Sequence, residues 1–214
     1  MTLSLDVLLD RLPTRLRQSL PGHEAQATMA PRYEARREAL SVTNKDCREA
    51  GVLVLLLPLE DEPGLVLTVR RDHLPDHAGQ ISFPGGQREG GETLEETALR
   101  EAHEEIALEP RTVQLLGSLT PLYIPPSNYC VHPFVGIVTR EPNLHPTDRE
   151  VGEVLRAPLA HLLDPSTRVV ETWTLHGTDV DVPYYSVEGH TVWGATAMML
   201  AEVLAIVQEV IEPA

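Results

Sequence analysis

Residues Gly85–Leu108 read GGQREGGETLEETALREAHEEIAL, and most of the architecture can be argued outward from this segment. Thr93 predicts the start of a helix, and Glu96 three residues later completes a capping box. Apolar residues then recur at every fourth position: Leu94, Ala98, Ala102 and Ile106. This spacing forms one stripe that can pack against a sheet, so we predict an amphipathic helix from Thr93 to Leu108.

Three glutamates, Glu101, Glu104 and Glu105, share another face of this helix, because residues three and four apart are neighbours. Like charges at this spacing destabilise a helix by about 0.2–0.5 kcal/mol per pair. The helix dipole also disfavours anions in the later turns. A divalent cation would reverse both penalties, and carboxylate oxygens suit magnesium and manganese. The alternative is an ordinary solvated face, which is the usual role of helical glutamates.

The spacing around these glutamates favours the cation. Gly86, five residues, Glu92, seven residues and then Arg100-Glu101-Ala102-His103-Glu104-Glu105 resembles the Nudix box, G-x5-E-x7-R-E-U-x-E-E-x-G-U. The resemblance implies a hydrolase that cleaves the pyrophosphate bond of nucleoside diphosphates linked to another moiety, with Mg2+ or Mn2+ as cofactor. Ala107 stands where the box has its late glycine, and we expect alanine to extend the helix by one residue.

The resemblance also implies roles for individual residues. Glu101 and Glu105 are the expected metal ligands, with Glu104 contributing or coordinating a second ion. Arg100 is expected to orient Glu101 or to pair with Glu92. A backbone carbonyl of Gly85 or Gly86 could complete the shell, because glycine permits close approach.

The general base is sought outside the helix as well as within it. Some Nudix enzymes use a glutamate of the box, and others use a later loop carboxylate. Our candidate is Glu150, with Glu153 second, and simple exposure is an equal alternative for both. The expected catalytic set is then Glu101, Arg100, Glu104 and Glu150.

The segment before the box, LVLTVRRDHLPDHAGQISFPGG (Leu65–Gly86), resembles the coenzyme A pyrophosphatase branch of the family. The matching positions are Leu67, Thr68, Arg70, Gly79, Phe83, Pro84, Gly85 and Gly86. The branch implies coenzyme A or a derivative as substrate, with 4′-phosphopantetheine and 3′,5′-ADP as products. The candidate substrate-binding residues are Arg70, Arg71, Gly85 and Gly86.

Two positions depart from that branch. Pro75 replaces an arginine that could grip phosphate, and Arg71 replaces a small residue. Pro75 therefore favours a second hypothesis, hydrolysis of another linked nucleoside diphosphate such as NADH, ADP-ribose or dephospho-coenzyme A. A third hypothesis is a Nudix protein that binds nucleotide without cleaving it.

Several other side chains have a functional and a structural interpretation. His73 and His77, four residues apart, could bind metal or phosphate, although structural histidines are more common. Trp193 and the pair Tyr184–Tyr185 could stack on adenine, although core packing is the more common role.

The composition limits the class of partner. A net charge of −15 over 214 residues argues against broad nucleic-acid binding, which needs a basic face, but not against a small anionic substrate. We find neither a stretch of about 18 uncharged apolar residues nor a secretory signal, so we expect no membrane partner and a cytoplasmic location. Cys47 and Cys130 could form a disulfide, but reduced thiols are the expectation there.

The remaining chain predicts an α+β fold. Residues 1–45 are expected to form a helical extension that packs on the domain or, as the weaker alternative, forms a homodimer. Its first helix would be interrupted at Pro13 and closed by Pro21–Gly22, and its second would begin near Pro31 and run to Glu38. Within the domain, 46–214, we predict a final helix at Ala195–Ile211 and strands at Val52–Leu57, Leu65–Arg70, Val113–Leu119, His132–Val138, Arg168–Leu175 and Val182–Val187. A mixed sheet sandwiched between helices (α/β/α), the Nudix fold, fits this order.

Overall fold

The structure is a computed structural model that describes residues 3–31, 40–60, 62–71, 79–147, 150–175 and 177–212. Its helices are α1 (Leu5–Arg15), α2 (Gly22–Gln26), α3 (Leu94–Ile106), α4 (Leu159–Leu163) and α5 (Gly194–Ile211). Its strands are β1 (Arg48–Pro58), β2 (Pro63–Arg70), β3 (Ile81–Ser82), β4 (Gly85–Gln87), β5 (Gln114–Ser118), β6 (Leu122–Ile124), β7 (Tyr129–Ile137), β8 (Val151–Pro158), β9 (Arg168–Leu175), β10 (Thr178–Val187) and β11 (His190–Val192).

The main sheet is mixed and is built around β1. Strand β1 pairs with β7 in parallel and with β2 in antiparallel orientation, giving the order β3-β2-β1-β7-β5. The short strands β4 and β6 add to β1 and β7, and β8 adds to β2. A second sheet, in the order β11-β10-β9, lies beside β3.

The register gathers several chain segments at one end of the main sheet. Strands β1 and β7 both begin there, since Arg48 is opposite Tyr129. Strand β2 ends there and β8 begins there, since Arg70 is opposite Val151. Strands β3 and β4 pair with β2 and β1 near the same end.

Helices cover both faces of the sheet, because alternate side chains of β1 are buried in two different cores. Leu53, Leu55 and Leu57 face α3 and form one core with its apolar stripe. The intervening residues of β1 form a second core with α1 and α5. The predicted α+β class and the sheet between helices are therefore confirmed.

Helix α5 is the most apolar element. Its 18 residues, with a mean hydropathy of 1.6, are long and apolar enough to cross a membrane by length and composition. However, 72% of this segment is buried inside the protein, where it packs on α1 and α2. Helix α5 is therefore buried in the way that a core helix is.

The N-terminal helices pack on the domain through α5. Glu202 of α5 is fully buried and accepts hydrogen bonds from Gln26 Nε2 at 2.8 Å and from Thr120 Oγ1 at 2.7 Å. The predicted interruption at Pro13 is wrong, because α1 continues to Arg15. Only the last turn follows the proline, and burial of preceding leucines stabilises the helix. The predicted second helix falls mostly on residues 32–39, outside the described residues.

Three further findings differ from the sequence expectations. Strand β8 was not predicted, and β10 begins at Thr178 rather than at Val182. The expectation of reduced thiols is also wrong, because Cys47 and Cys130 form a disulfide with a Cα–Cα distance of 5.8 Å. The parallel register of β1 and β7 brings these residues together, with Glu49 directly opposite Cys130.

Candidate active site

The helix that carries the glutamates begins as predicted. The hydroxyl of Thr93 accepts from the backbone N–H of Glu96, and the Glu96 carboxylate accepts from the backbone N–H of Thr93 at 2.7 Å. This reciprocal capping box satisfies two amides that would otherwise lack partners. The first turn is thereby fixed, and with it the rotation of the glutamate-bearing face.

The helix lies unusually close to β1 at one glycine. A Cβ added to Gly51 would lie 2.3 Å from the carbonyl oxygen of Leu94 and 3.0 Å from the backbone N of Ala98. No side chain fits between backbone atoms at these distances. Gly51 therefore sets the distance between the sheet and the first turns of α3.

The two box glycines bring β4 against both β1 and the glutamates. Gly85 has a φ of +154°, and a Cβ there would lie 2.5 Å from the carbonyl oxygen of Gly51. A Cβ on Gly86 would lie 2.5 Å from carboxylate atoms of Glu101. The backbone N–H of Gly85 donates to Glu105 Oε2 at 3.1 Å. The observed glycine contact to Glu105 is thus an amide, where the sequence suggested a carbonyl facing the ion.

Arg100 connects the carboxylates of the box. Its Nε and Nη2 donate to both oxygens of Glu92, at 3.0 and 2.9 Å. Its Nη1 donates to Glu101 Oε1 at 2.9 Å and to Glu104 Oε2 at 3.1 Å. Both alternatives weighed for Arg100 from the sequence are therefore present, the pairing with Glu92 and the contact that orients Glu101. These hydrogen bonds place Arg100 between the three carboxylates.

Burial and hydrogen bonds give the two neighbours of Arg100 opposite pKa shifts. The hydrogen bond from Arg100, with the backbone N–H of Glu89, lowers the pKa of Glu92 to about 2. Burial raises the pKa of Glu101, and the hydrogen bond from Arg100 opposes that shift only in part. Glu92 is thus ionised at neutral pH and bonds to Arg100, while Glu101 is a partly desolvated carboxylate.

Helix α3 ends earlier than its sequence suggested. The expectation that Ala107 extends the helix is wrong, because Ala107 adopts a left-handed conformation with a φ of +60°. Its backbone N–H still bonds to the carbonyl oxygens of Ala102 and His103. Alanine therefore takes the backbone shape that the box ordinarily assigns to glycine, at a steric cost.

The candidate base and a candidate substrate-binding residue lie together at the same end of the sheet. Glu150 Oε2 accepts from Arg70 Nη2 at 2.7 Å, and 52% of the Glu150 side chain is exposed. Arg71 Nε donates to the carbonyl oxygen of Val151 at 3.0 Å. The second base candidate, Glu153, lies 3.8 Å from His190 Nε2. His73, Pro75 and His77 lie outside the described residues.

The donor types fit a divalent cation, although the carboxylates are not converged on one point. Among the residues that the structure describes, no three acidic, histidine or cysteine side chains are arranged to hold an ion. Arg100 holds Glu101 and Glu104, and Gly85 holds Glu105. The site nevertheless suits magnesium or manganese, because its donors are carboxylate oxygens. The Glu101 side chain is only 19% exposed, and Gly86 beside it has no Cβ that would crowd the carboxylate.

The sequence matches the model of the NUDIX domain over residues 48–173. The chain belongs to the Nudix hydrolase family. It is similar to a protein called Uncharacterized Nudix hydrolase NudL from Enterobacter sp. (strain 638), 35% identical over 172 residues, covering 80% of this chain and 88% of that one. A protein of the same name from Yersinia pestis (strain Pestoides F) is 37% identical over 163 residues, covering 75% and 78%.

The fold has a counterpart among solved structures. A MutT/nudix family protein from Enterococcus faecalis has a TM-score of 0.52 and 17% identity, covering 95% of this chain and 79% of that chain. The expectation of a Nudix fold is confirmed. This Nudix hydrolase is an enzyme of the pyrophosphohydrolase class, so the hypothesis of a non-catalytic nucleotide-binding protein is set aside.

Sequence reasoning missed part of the support around Arg100 in this Nudix hydrolase. The carbonyl oxygen of Gln87 accepts from Arg100 Nη2 at 3.2 Å, and Gln87 Oε1 accepts from the Tyr129 hydroxyl at 2.9 Å. Tyr129 begins β7, which is distant in sequence from the box. Only the strand pairing could have revealed it.

Proposed function

We propose that this Nudix hydrolase cleaves the pyrophosphate bond of coenzyme A or a derivative, giving 4′-phosphopantetheine and 3′,5′-ADP. The observation that carries the proposal is the position of Arg70. It belongs to the coenzyme A-type segment Leu65–Gly86, and it lies at the end of the sheet where the box glycines meet Glu101 and Glu105. A substrate diphosphate between these groups would contact an arginine on one side and the acidic helix on the other.

The residues of the chain suit a hydrolysis in which water attacks one phosphorus. The new P–O bond forms from water, the bridging P–O bond breaks, and a proton from water leaves. Glu150 is our candidate to accept that proton, and Arg70 can donate hydrogen bonds to diphosphate oxygens. Their 2.7 Å contact holds both groups in place beside each other.

Glu101, Glu104 and Glu105 are the proposed ligands of Mg2+ or Mn2+. When bound, the ion would neutralise charge on the diphosphate and lower the pKa of a coordinated water. Arg100 bonds to one oxygen of Glu101 and one of Glu104, so the second oxygen of each carboxylate is not engaged by it. Its bonds to both oxygens of Glu92 involve no proposed ligand.

A product-resolved assay tests the proposal. Purified protein with coenzyme A should yield 4′-phosphopantetheine and 3′,5′-ADP with magnesium or manganese, and chelator should abolish turnover. Glu105→Gln should lose most activity, whereas Glu95→Gln, on the exposed side of the same helix, should retain it. Full activity of a stable Glu105→Gln protein would remove the glutamate cluster from the mechanism.

A second substrate class has its own supporting observation. Arg71 donates to the carbonyl oxygen of Val151, so this arginine is occupied by backbone rather than turned wholly toward a phosphate. That contact, with Pro75 in the segment, favours a substrate lacking the 3′-phosphate, such as NADH, ADP-ribose or dephospho-coenzyme A. Faster cleavage of dephospho-coenzyme A than of coenzyme A would support this class and contradict the first.

A cytoplasmic location and a homodimer are further proposals. The disulfide between Cys47 and Cys130 bears on the location, because disulfides are rare in reducing compartments. Thiol labelling of the protein in freshly quenched cells would show whether the pair is oxidised there. Sedimentation of the purified protein would give its oligomeric state.

A further inference from the structure

The second sheet carries a cluster of aromatic side chains. Trp173 of β9 and Tyr184 of β10 are stacked, with ring centroids 5.8 Å apart and planes at 26°. Trp193, directly after β11, meets Trp173 edge-on at 5.4 Å. Both tryptophans of a chain that is only 4% aromatic therefore lie in this cluster. Each of the three side chains is only partly buried.

One carboxylate holds the polar ends of two of these rings. Glu171 Oε2 accepts from Trp173 Nε1 at 3.1 Å, and its Oε1 accepts from the Tyr184 hydroxyl at 2.8 Å. These two hydrogen bonds lower the pKa of Glu171, so the carboxylate stays ionised at neutral pH. The rings are thus oriented by an acceptor at their edges, which leaves their faces to make apolar contacts.

The two faces of this sheet differ in character. Beside the aromatic cluster, Val180 and Val182 are buried, with 4% and 0% exposed surface. On the other face, Thr172 and Thr174 donate to Asp181 and Asp179, at 3.1 and 2.7 Å. Trp173, Tyr184 and Trp193 therefore lie together on one face, whereas Tyr185 is buried in the core on the other face.

The cluster extends from β9 to the end of β11, and β11 is the strand of the second sheet that contacts the main sheet. Strand β11 contacts β3, and Thr196 Oγ1, three residues after Trp193, donates to the carbonyl oxygen of Ile81 at 2.9 Å. Gly85 is the fourth residue after Ile81, a span of at most about 14 Å. Gly85 in turn donates to Glu105.

We propose that Trp173, Tyr184 and Trp193 form a subsite that stacks on the adenine base of the substrate. Stacking suits this acidic protein, because a net charge of −15 repels polyanions and an uncharged base brings affinity without a cation. The subsite would hold the base while the diphosphate lies against the box. The inference rests on the proposed function in one respect, since it requires a substrate that contains adenine. Coenzyme A and ADP-ribose both contain it.

Binding can be tested without catalysis. In Trp193→Phe, Trp173 is the single tryptophan, so its fluorescence reports directly on the cluster. Titration with AMP in the absence of metal should quench that fluorescence to saturation, whereas ribose 5-phosphate, which lacks the base, should not. Absence of AMP quenching, or equal quenching by both compounds, would overturn the subsite.

Turnover provides the second test. Trp173→Leu keeps an apolar side chain over the buried valines but removes the aromatic face, and we expect KM to rise about 10-fold with a smaller change in kcat. Trp173→Phe should recover most of the loss, and Thr174→Ala on the opposite face should leave KM unchanged. Equal KM values for the leucine and phenylalanine variants would mean that Trp173 acts through packing alone, which would contradict stacking on the base.

These outcomes separate the subsite from the proposed reaction. Hydrolysis with no AMP quenching would reject the subsite and keep the function. AMP quenching without hydrolysis of any adenine-containing diphosphate would reject the function and keep the subsite.

Discussion

Replacing Gly86 with alanine would place a methyl group against the carboxylate of Glu101. The added Cβ would lie 2.5 Å from Glu101 Cδ and Oε1, whereas ordinary contact begins near 3.4 Å. The carboxylate must therefore retreat by about 1 Å, away from the position in which Arg100 Nη1 holds it at 2.9 Å. The backbone of Gly86 needs no left-handed conformation, so only this side chain has to move.

The displacement should reduce catalysis far more than stability. A misplacement of 1 Å can cost about 100-fold in rate, which corresponds to about 2.7 kcal/mol of transition-state stabilisation. Because the obstacle is the end of a flexible side chain, the free energy of unfolding should change by less than about 1 kcal/mol. We expect kcat/KM of Gly86→Ala to fall about 100-fold with a melting temperature within about 4 °C of the wild type.

The matched control is Gly90→Ala, in the segment that follows β4. A Cβ at Gly90 has no heavy atom within 4 Å, and its φ is not left-handed. This variant should keep wild-type activity under the same magnesium concentrations. If Gly86→Ala were folded and within two-fold of wild-type kcat/KM, Glu101 would not need the position that the glycine leaves open, and our account of the site would be wrong.

Three further predictions concern stability. Replacing Cys47 and Cys130 with serine should lower the free energy of unfolding by about 4 kcal/mol, because the bond spans 83 positions; an unchanged urea midpoint would contradict this. Ala107→Gly should relieve the left-handed alanine and raise the melting temperature by about 2–4 °C, as scanning calorimetry can show. Glu92→Gln should destabilise the protein at pH 7, and the difference should shrink as pH falls from about 4.5 towards 2. The pKa of Glu92 is lowered from 4.5 to about 2 in the folded state. Its contribution to the free energy of unfolding is therefore fully present above pH 4.5 and is lost as pH falls to about 2. Equal destabilisation at pH 7 and pH 3 would count against the Arg100 pairing.

The features of the fold and site that could be predicted from the sequence depend on contacts between residues close together in the chain. The capping box of Thr93 and Glu96 and the apolar stripe of α3 depend on three- and four-residue spacings, which a helix fixes. The contacts of Arg100 with Glu92 and Glu101 were expected from the resemblance to the Nudix box, and they form within this helix and the loop before it. Strands β1, β2, β5, β7 and β9 were recognisable from branched apolar runs between turn residues.

Ala107 shows where a local rule gave the wrong answer. Alanine has high helix propensity, which favoured one more helical residue at this position. The chain instead turns there so that Leu108 is fully buried in the core beneath α3. Burial of a leucine contributes about 1.5–3 kcal/mol, enough to offset the roughly 1–2 kcal/mol cost of a left-handed alanine.

The features missed from sequence share one cause, the pairing register of distant strands. The disulfide and the Tyr129 contact to Gln87 require the observed register of β1 against β7 and β4, and the meeting of Arg70 with Glu150 requires that of β2 against β8. A slip of one residue would turn each of these side chains to the opposite face. Leu53, Leu55 and Leu57 must face α3, so their burial excludes such a slip. The apolar core on one side of β1 thus determines which polar groups meet at its end.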